Sequence, residues 1–214
     1  MTEPAHLAAV RTSYDTVAAD YVRLVVPPEG MDPVSRAMLA AFAELVRESG
    51  CGEVADLGCG PGRVTAYLDG LGLSAFGVDV SGEMVALARR AYPELRFLHG
   101  SMAALDLPDG ALGGILAWYS VHHTPAEQLP HLFAEFHRVL APAGHLLLGG
   151  HAGEAQLLRP TQAYGHPVSY ASHLIPAGQL VDLLERAGFT VTSRLEQPHP
   201  QKEARSYVCL LARA

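Results

Sequence analysis

The chain reads as an α/β protein with a doubly wound sheet covered by helices on both faces, and three observations lead there. Val54 to Gly62 is a short apolar run, an acid, and then glycine at alternate positions, the pattern of a buried strand ending in a tight turn before a helix at Arg63. Ser74 to Val80 is a second apolar strand pattern, and it delivers an acid, Asp79, near its end. Gly and Ala are abundant, charged residues make up 17%, and the mean hydropathy is slightly positive, a balance that suits a sheet buried on both sides. At 214 residues the chain fits one domain, 1–214, with a sizeable core.

The elements follow in order. His6 to Val26 carries apolar or aromatic residues at Val10, Tyr14, Val17, Ala18 and Tyr21, a helical stripe that stops before Pro27-Pro28. Pro33 to Ser49 is an amphipathic helix with Met38, Leu39, Phe42, Leu45 and Val46 on one side and Gly50 as its stop. Ser81 is the expected N-cap of a helix over Gly82 to Ala91, ended from outside by Pro93. Leu95 to His99 is the third strand, followed by Gly100-Ser101-Met102. Ala111 to Ser120 is the fourth, and its polar tail, Tyr119 to His123, falls where doubly wound sheets open their crevice. Thr124-Pro-Ala-Glu127 reads as the capped start of a helix running to about Leu140, with the fifth strand at His145 to Gly149. Residues 150–175 are rich in Gly, Pro and His without a sustained period, as expected of a pocket-forming insertion. Pro176 to Gly188 is the last helix; Phe189 to Ser193 and Ser206 to Leu211, joined through Gln197 to Gln201, make a terminal antiparallel pair.

The glycine turn points to a ligand. Glycine takes φ > 0 and admits a ligand against the main chain, at about 0.5–1 kcal/mol of conformational cost relative to Ala. The helix that follows aims unpaired N–H groups and a positive dipole end at whatever lies there. Asp79 stands where a dinucleotide fold places the carboxylate for a ribose diol. The interval Gly58-x-Gly60-x-Gly62 is one residue shorter at its end than the Gly-x-Gly-x-x-Gly of nicotinamide and flavin sites.

Asp56-Leu-Gly-Cys-Gly-Pro-Gly62 closely resembles motif I of the class I S-adenosylmethionine-dependent methyltransferases, and the chain resembles their small single-domain members. Arg138 to Gly149 resembles the family's link into strand five. The resemblance implies a mostly parallel seven-stranded sheet of order 3-2-1-4-5-7-6 with strand seven reversed, and S-adenosylmethionine as cofactor with S-adenosylhomocysteine as product. It implies that Gly58, Gly60 and Gly62, with Cys59 and Arg63 beside them, receive the methionine end, that Asp56 helps hold its amino group, and that Asp79 and Val80 meet the ribose. Ser101 and Met102 fall at the adenine position, where Ser101 stands in place of the family's acid, and Ala117 falls on strand four. An N-terminal helix within residues 1–30, through Tyr14 and Tyr21, would fold over the cofactor; the same tyrosines equally suit plain packing of that helix.

A proton-bearing acceptor calls for a base, and histidine suits that task. His122 and His123 are the candidate bases by their place after strand four, with His151, His166 and His173 in the insertion. His131 and His137 fall within a helix and read as solvated or capping. A metal on His122, His123 and His151 is disfavoured, because adjacent histidines at a strand end diverge. The expected reaction is O-methylation of a small molecule, with N or C acceptors, a nicotinamide-dependent oxidoreductase and a non-catalytic cofactor-binding protein as alternatives. A formal charge of −7, with no basic run longer than Arg89-Arg90, argues against nucleic acid. Three cysteines, Cys51, Cys59 and Cys209, lack paired spacing, and no apolar run reaches membrane-spanning length, so a soluble, cytoplasmic protein is expected. No feature fixes an oligomeric state.

Overall fold

The computed structural model describes residues 3–50, 52–199 and 205–214, so Cys51 and the Pro200-Gln201 part of the last expected turn lie outside it. Helix α1 (Ala5–Leu24) buries Val10, Val17 and Ala18 and gives way to extended backbone before Pro27. Helix α2 (Pro33–Ser49) is closed at both ends by local chemistry: Asp32 accepts from the Val34 and Ser35 amides at 3.0 Å, and Gly50, at φ 64°, turns the chain out. The first βαβ unit is β1 (Glu53–Leu57), α3 (Arg63–Gly70) and β2 (Ala75–Asp79), and α4 (Gly82–Ala91) leads into β3 (Arg96–His99). Ser81 caps α4 as expected, its Oγ accepting from the Met84 amide at 3.1 Å.

Strand β4 (Leu112–Trp118) is buried at every position, and a 3-10 turn, Val121–His123, follows it. Here one expectation is corrected. Helix α5 covers Leu129–Val139, and Thr124 does not cap it; a second 3-10 turn, Ala126–Gln128, intervenes. Pro130 gives the reason, since a helix begun at Thr124 would carry that ring deep inside, where it removes a hydrogen bond and clashes with the preceding turn.

Strand β5 (Leu140–Gly153) is far longer than its apolar core, and it absorbs both the link before His145 and the first residues of the expected insertion. The rest of the insertion forms two short antiparallel pairs, β6 (Gln156–Leu158) with β9 (Ser172–Leu174), and β7 (Gln162–Ala163) with β8 (His166–Pro167). Helix α6 (Ala177–Arg186), β10 (Thr190–Pro198) and β11 (Arg205–Arg213) complete the chain. The seven-stranded sheet runs β10-β11-β5-β4-β1-β2-β3, with β11 antiparallel to both neighbours and the others parallel. Counted within that sheet, the order is the expected 3-2-1-4-5-7-6. One face packs Ile115, Leu146 and Leu148 against Phe133 and Phe136 of α5 and Leu180 and Leu184 of α6. The other packs Leu116, Trp118 and Leu147 against Leu39, Phe42 and Val46 of α2.

Gly62 belongs to this packing. It sits at φ +79°, and a Cβ there would lie 2.6 Å from the Phe97 ring and 3.0 Å from the Ala88 methyl. Both neighbours are buried in the core and cannot yield cheaply. Gly62→Ala therefore destabilises the fold by roughly 2–4 kcal/mol, combining left-handed backbone strain with overpacking, as urea unfolding will measure.

Candidate active site

The site begins where β1 ends. Gly58, Gly60 and Gly62 all have positive φ, yet each faces something different. Gly58 lies against Ser120, whose Cβ would be 2.4 Å from any added methyl; Gly60 faces open space; Gly62 faces the core. The turn is pinned to β2, since the Gly58 and Cys59 amides donate to the Val78 carbonyl at 2.8 and 3.1 Å. Asp79 completes it: one carboxylate oxygen accepts from the Gly60 amide at 2.8 Å and the other from the Ser81 amide at 2.8 Å. Burial raises the Asp79 pKa, and these two amides oppose the shift. Asp56, 1% exposed, accepts from the Thr65 hydroxyl at 2.7 Å, and burial pushes its pKa up to about 7.

Helix α1 is fastened over this turn. Arg63, the first residue of α3, donates to the Val22 and Val25 carbonyls at 2.6 and 2.7 Å, where the negative end of the α1 dipole favours a cation. Asp15 accepts from the Ser81 hydroxyl at 2.6 Å and the Glu83 amide at 3.2 Å. Ser13 accepts from the Ser169 amide at 3.0 Å, and Asp20 pairs with His166, so α1 is tied to the insertion as well.

His123 is buried among these contacts. Its Nδ1 faces the Ala171 carbonyl at 2.9 Å and its Nε2 the Tyr14 hydroxyl at 2.9 Å. A carbonyl only accepts, so Nδ1 holds the proton and Nε2 takes the phenolic hydrogen bond. Burial lowers the His123 pKa to about 4, which keeps the ring neutral. Tyr170 stacks on Tyr14 with ring centroids 5.6 Å apart.

A cavity of about 1220 Å³ opens from the turn to the far side of the sheet. Of the residues expected from sequence, Tyr14, Tyr21, Asp56, Gly58, Cys59, Gly60, Arg63 and His122 line it. Gly62, Asp79, Val80, Ser101, Met102, Ala117 and His123 do not line it. Ala117 is wholly inside β4, and Ser101 accepts from the Ala103 amide at 3.2 Å. His122 and His123, though adjacent, therefore part: the first reaches the cavity and the second the α1 seam. Burial, joined by His123, His151 and His173, holds the His122 pKa well below its ordinary value. Its buried Nδ1 has no hydrogen-bond partner among the described residues.

Sequence reasoning placed Tyr119 at the crevice but missed other parts of the opposite wall: Trp118, Arg205 and Tyr207. Trp118 lies over Gly149, where a Cβ would come within 2.3 Å of its ring. Tyr119 has φ 54° and Tyr164 φ 52°, so two cavity-lining tyrosines hold a backbone conformation that costs a side-chain-bearing residue about 1–3 kcal/mol. Tyr119 meets His151 edge-on at 5.1 Å, and Tyr207 lies 5.3 Å from the same imidazole. A doublet of aromatics at the carboxyl end of β4 was the readable hint; Arg205 and Tyr207 gave none, because their place depends on β11 running antiparallel beside the end of β5. Among the described residues no group of three His, Cys, Asp or Glu side chains is placed to hold a metal.

Residues 54–144 match a family model described as a methyltransferase domain. A demethylmenaquinone methyltransferase of Chlorobaculum tepidum is 32% identical over 143 residues, covering 64% of this chain and 57% of its own length. An uncharacterized methyltransferase of Synechocystis is 28% identical over 151 residues, covering 66% of this chain and 68% of its own length. The chain thus spans little more than half to about two thirds of these relatives. The crystal structure of a Burkholderia thailandensis 1,6-didemethyltoxoflavin-N1-methyltransferase, with bound 1,6-didemethyltoxoflavin and S-adenosylhomocysteine, is similar with a TM-score of 0.71. That likeness covers 100% of this chain and 92% of the other at 23% identity, and it is a likeness of fold. Sheet order and glycine turn together define a Rossmann-like class I methyltransferase architecture. Over residues 54–144 the chain is similar to methyltransferases, and its fold is that of structures of S-adenosylmethionine-dependent methyltransferases.

Arg63 couples the turn to α1 through two charge-assisted hydrogen bonds, each worth about 1.5–3 kcal/mol. Arg63→Met is expected to raise amide exchange in the last turns of α1 at least tenfold while β1 and β4 stay protected, as hydrogen-exchange mass spectrometry will read.

Proposed function

We propose that the chain transfers the methyl group of S-adenosylmethionine to a hydroxyl oxygen of a small planar molecule, within one domain closed by α1 and residues 154–175. The observation that carries the reading is that one cavity joins the open face of Gly60 and the Asp56 carboxyl to His122 and the aromatic wall. The residues present suit the cofactor: Gly60 leaves room where a Cβ would stand, Asp56 offers an acid to an ammonium group, and the buried Ser120 hydroxyl beside Gly58 has no partner among the described residues. In the Burkholderia neighbour S-adenosylhomocysteine and 1,6-didemethyltoxoflavin are both bound, which supports two ligands here.

When bound, the cofactor supplies an activated sulfonium methyl. The protein then has to hold an acceptor atom in line with it and exclude water; positioning of that kind lowers a barrier by about 7–11 kcal/mol. His122 takes the hydroxyl proton. It is neutral at working pH and lines the cavity. The imidazolium it becomes replaces a positive charge lost when the methyl leaves, so the buried charge count does not change. His123 is a positioning residue that acts through Tyr14.

Calorimetry should give binding of S-adenosylmethionine and none of NADH, and an acceptor panel should release S-adenosylhomocysteine. NADH binding alone overturns the reading, and cofactor binding without turnover leaves only a binding protein. His122→Asn lowers kcat by about 10²–10⁴ with cofactor affinity unchanged; an unaltered kcat removes the base from the scheme.

Asp56 makes cofactor binding pH-dependent. With a pKa of about 7 in the free protein, the carboxyl is mostly protonated below that pH, and an ammonium partner requires it ionised. Affinity therefore rises about tenfold per pH unit up to roughly 7, then levels until an α-amino group of pKa about 7.7–8.0 loses its own proton. Calorimetric titrations at stepped pH should trace that rise, and Asp56→Asn should flatten it.

A further inference from the structure

The methyl-transfer reading leaves the acceptor's chemistry open, and the charges around the cavity narrow it. Five acidic or guanidinium side chains line it: Asp32, Asp56, Arg63, Arg159 and Arg205. Three are committed elsewhere. Asp32 serves the first amides of α2, Asp56 takes the Thr65 hydroxyl, and Arg63 holds the end of α1. The guanidinium groups of Arg159 and Arg205 have no hydrogen bond or ion pair among the described residues, Arg205 accepting only through its backbone carbonyl from the His199 amide. So a chain of formal charge −7 presents uncommitted positive charge along the wall of this cavity. Arg159 is exposed and Arg205 half-buried, and a half-buried guanidinium without a side-chain partner is an arrangement that an anion relieves.

The surroundings of Arg205 specify the rest of that anion. In the β5–β11 ladder Arg205 stands opposite Gly153 and Tyr207 opposite His151. Alternate residues of a strand share a face, and so do residues directly opposite across a ladder. Arg205, Tyr207 and His151 thus project from one side of the sheet, where the His151 ring meets those of Tyr119 and Tyr207 and His199 stacks on Tyr207. Gly153 opposite Arg205 has no side chain to obstruct it. The cavity exceeds the roughly 300–1,000 Å³ of a typical single-ligand site, so a ring fits beside the cofactor.

We propose that the acceptor is an aromatic carboxylic acid, its ring lying against Tyr207 and His151 and its carboxylate held by Arg205 and Arg159. Guanidinium groups match carboxylates with two parallel hydrogen bonds, and ring pairs add directional preference. The carboxylate is a handle and is not methylated; the methylated hydroxyl lies on the ring, toward His122. This inference rests on the reading of the preceding subsection and adds the class of the second ligand.

The test is calorimetry on the full chain loaded with S-adenosylhomocysteine, titrated with 4-hydroxybenzoate against 4-hydroxybenzamide and with 6-hydroxy-2-naphthoate against its carboxamide. At least one acid should bind ten times or more tightly than its amide. Arg205→Gln and Arg159→Gln should each cut that preference severalfold and the double variant should abolish it, with thermal midpoint and S-adenosylhomocysteine affinity unchanged. Equal binding of acid and amide in both pairs, no binding of either acid, or a preference that survives the double variant overturns the proposal. Failure of S-adenosylhomocysteine itself to bind the unaltered protein overturns the underlying methyl-transfer reading instead, so the two failures are told apart.

Discussion

One carboxylate organises the neighbourhood on which the rest of the structure depends. Asp79, at the end of β2, uses one oxygen on the Gly60 amide and the other on the Ser81 amide, fixing the glycine turn and the start of α4 together. Ser81 then spends its own oxygen on the Met84 amide and its proton on Asp15, which brings α1 into place. A single acid therefore sets the turn, the helix after it and, at one remove, the helix above. Each carboxylate oxygen has two acceptor positions, so neither role removes its capacity to meet a diol.

The two sides of the site are made differently. The side of the glycine turn, proposed to take the cofactor, is mostly backbone held by short-range geometry: glycines at positive φ, two amides on the Val78 carbonyl, and an arginine at the first position of a helix. The opposite wall is made of side chains brought in by long-range pairing, from the extended ends of β5 and β11 and from the short pairs of the insertion. Backbone at positive φ falls on that second wall at Tyr119 and at Tyr164, where Tyr164 and Gly165 form the two-residue turn between β7 and β8.

What could be read in the sequence follows the same division. The strands through β4 and the Ser81 cap were legible, because apolar runs and capping residues are local signals, whereas the sheet order came only through the family resemblance carried by the glycine motif. Pro130 was legible too, though the stronger-looking Thr124 cap overshadowed it. The full length of β5 was not, since Leu140–Gly144 and Gly150–Gly153 have weak strand character alone and are held by pairing with β4 and β11. The separation of His122 from His123 was equally hidden. Adjacent positions carried equal promise until Tyr14 and Ala171, 109 residues and 48 residues away, claimed one of them.

The chain has a single tryptophan, and it is Trp118, seated on Gly149 and lining the cavity. Intrinsic indole emission from this protein therefore originates at one wall of one chamber, undiluted by any distant fluorophore of its kind. Arrival or departure of a molecule there would alter the colour and yield of that light directly, giving the protein a built-in optical gauge of its own occupancy.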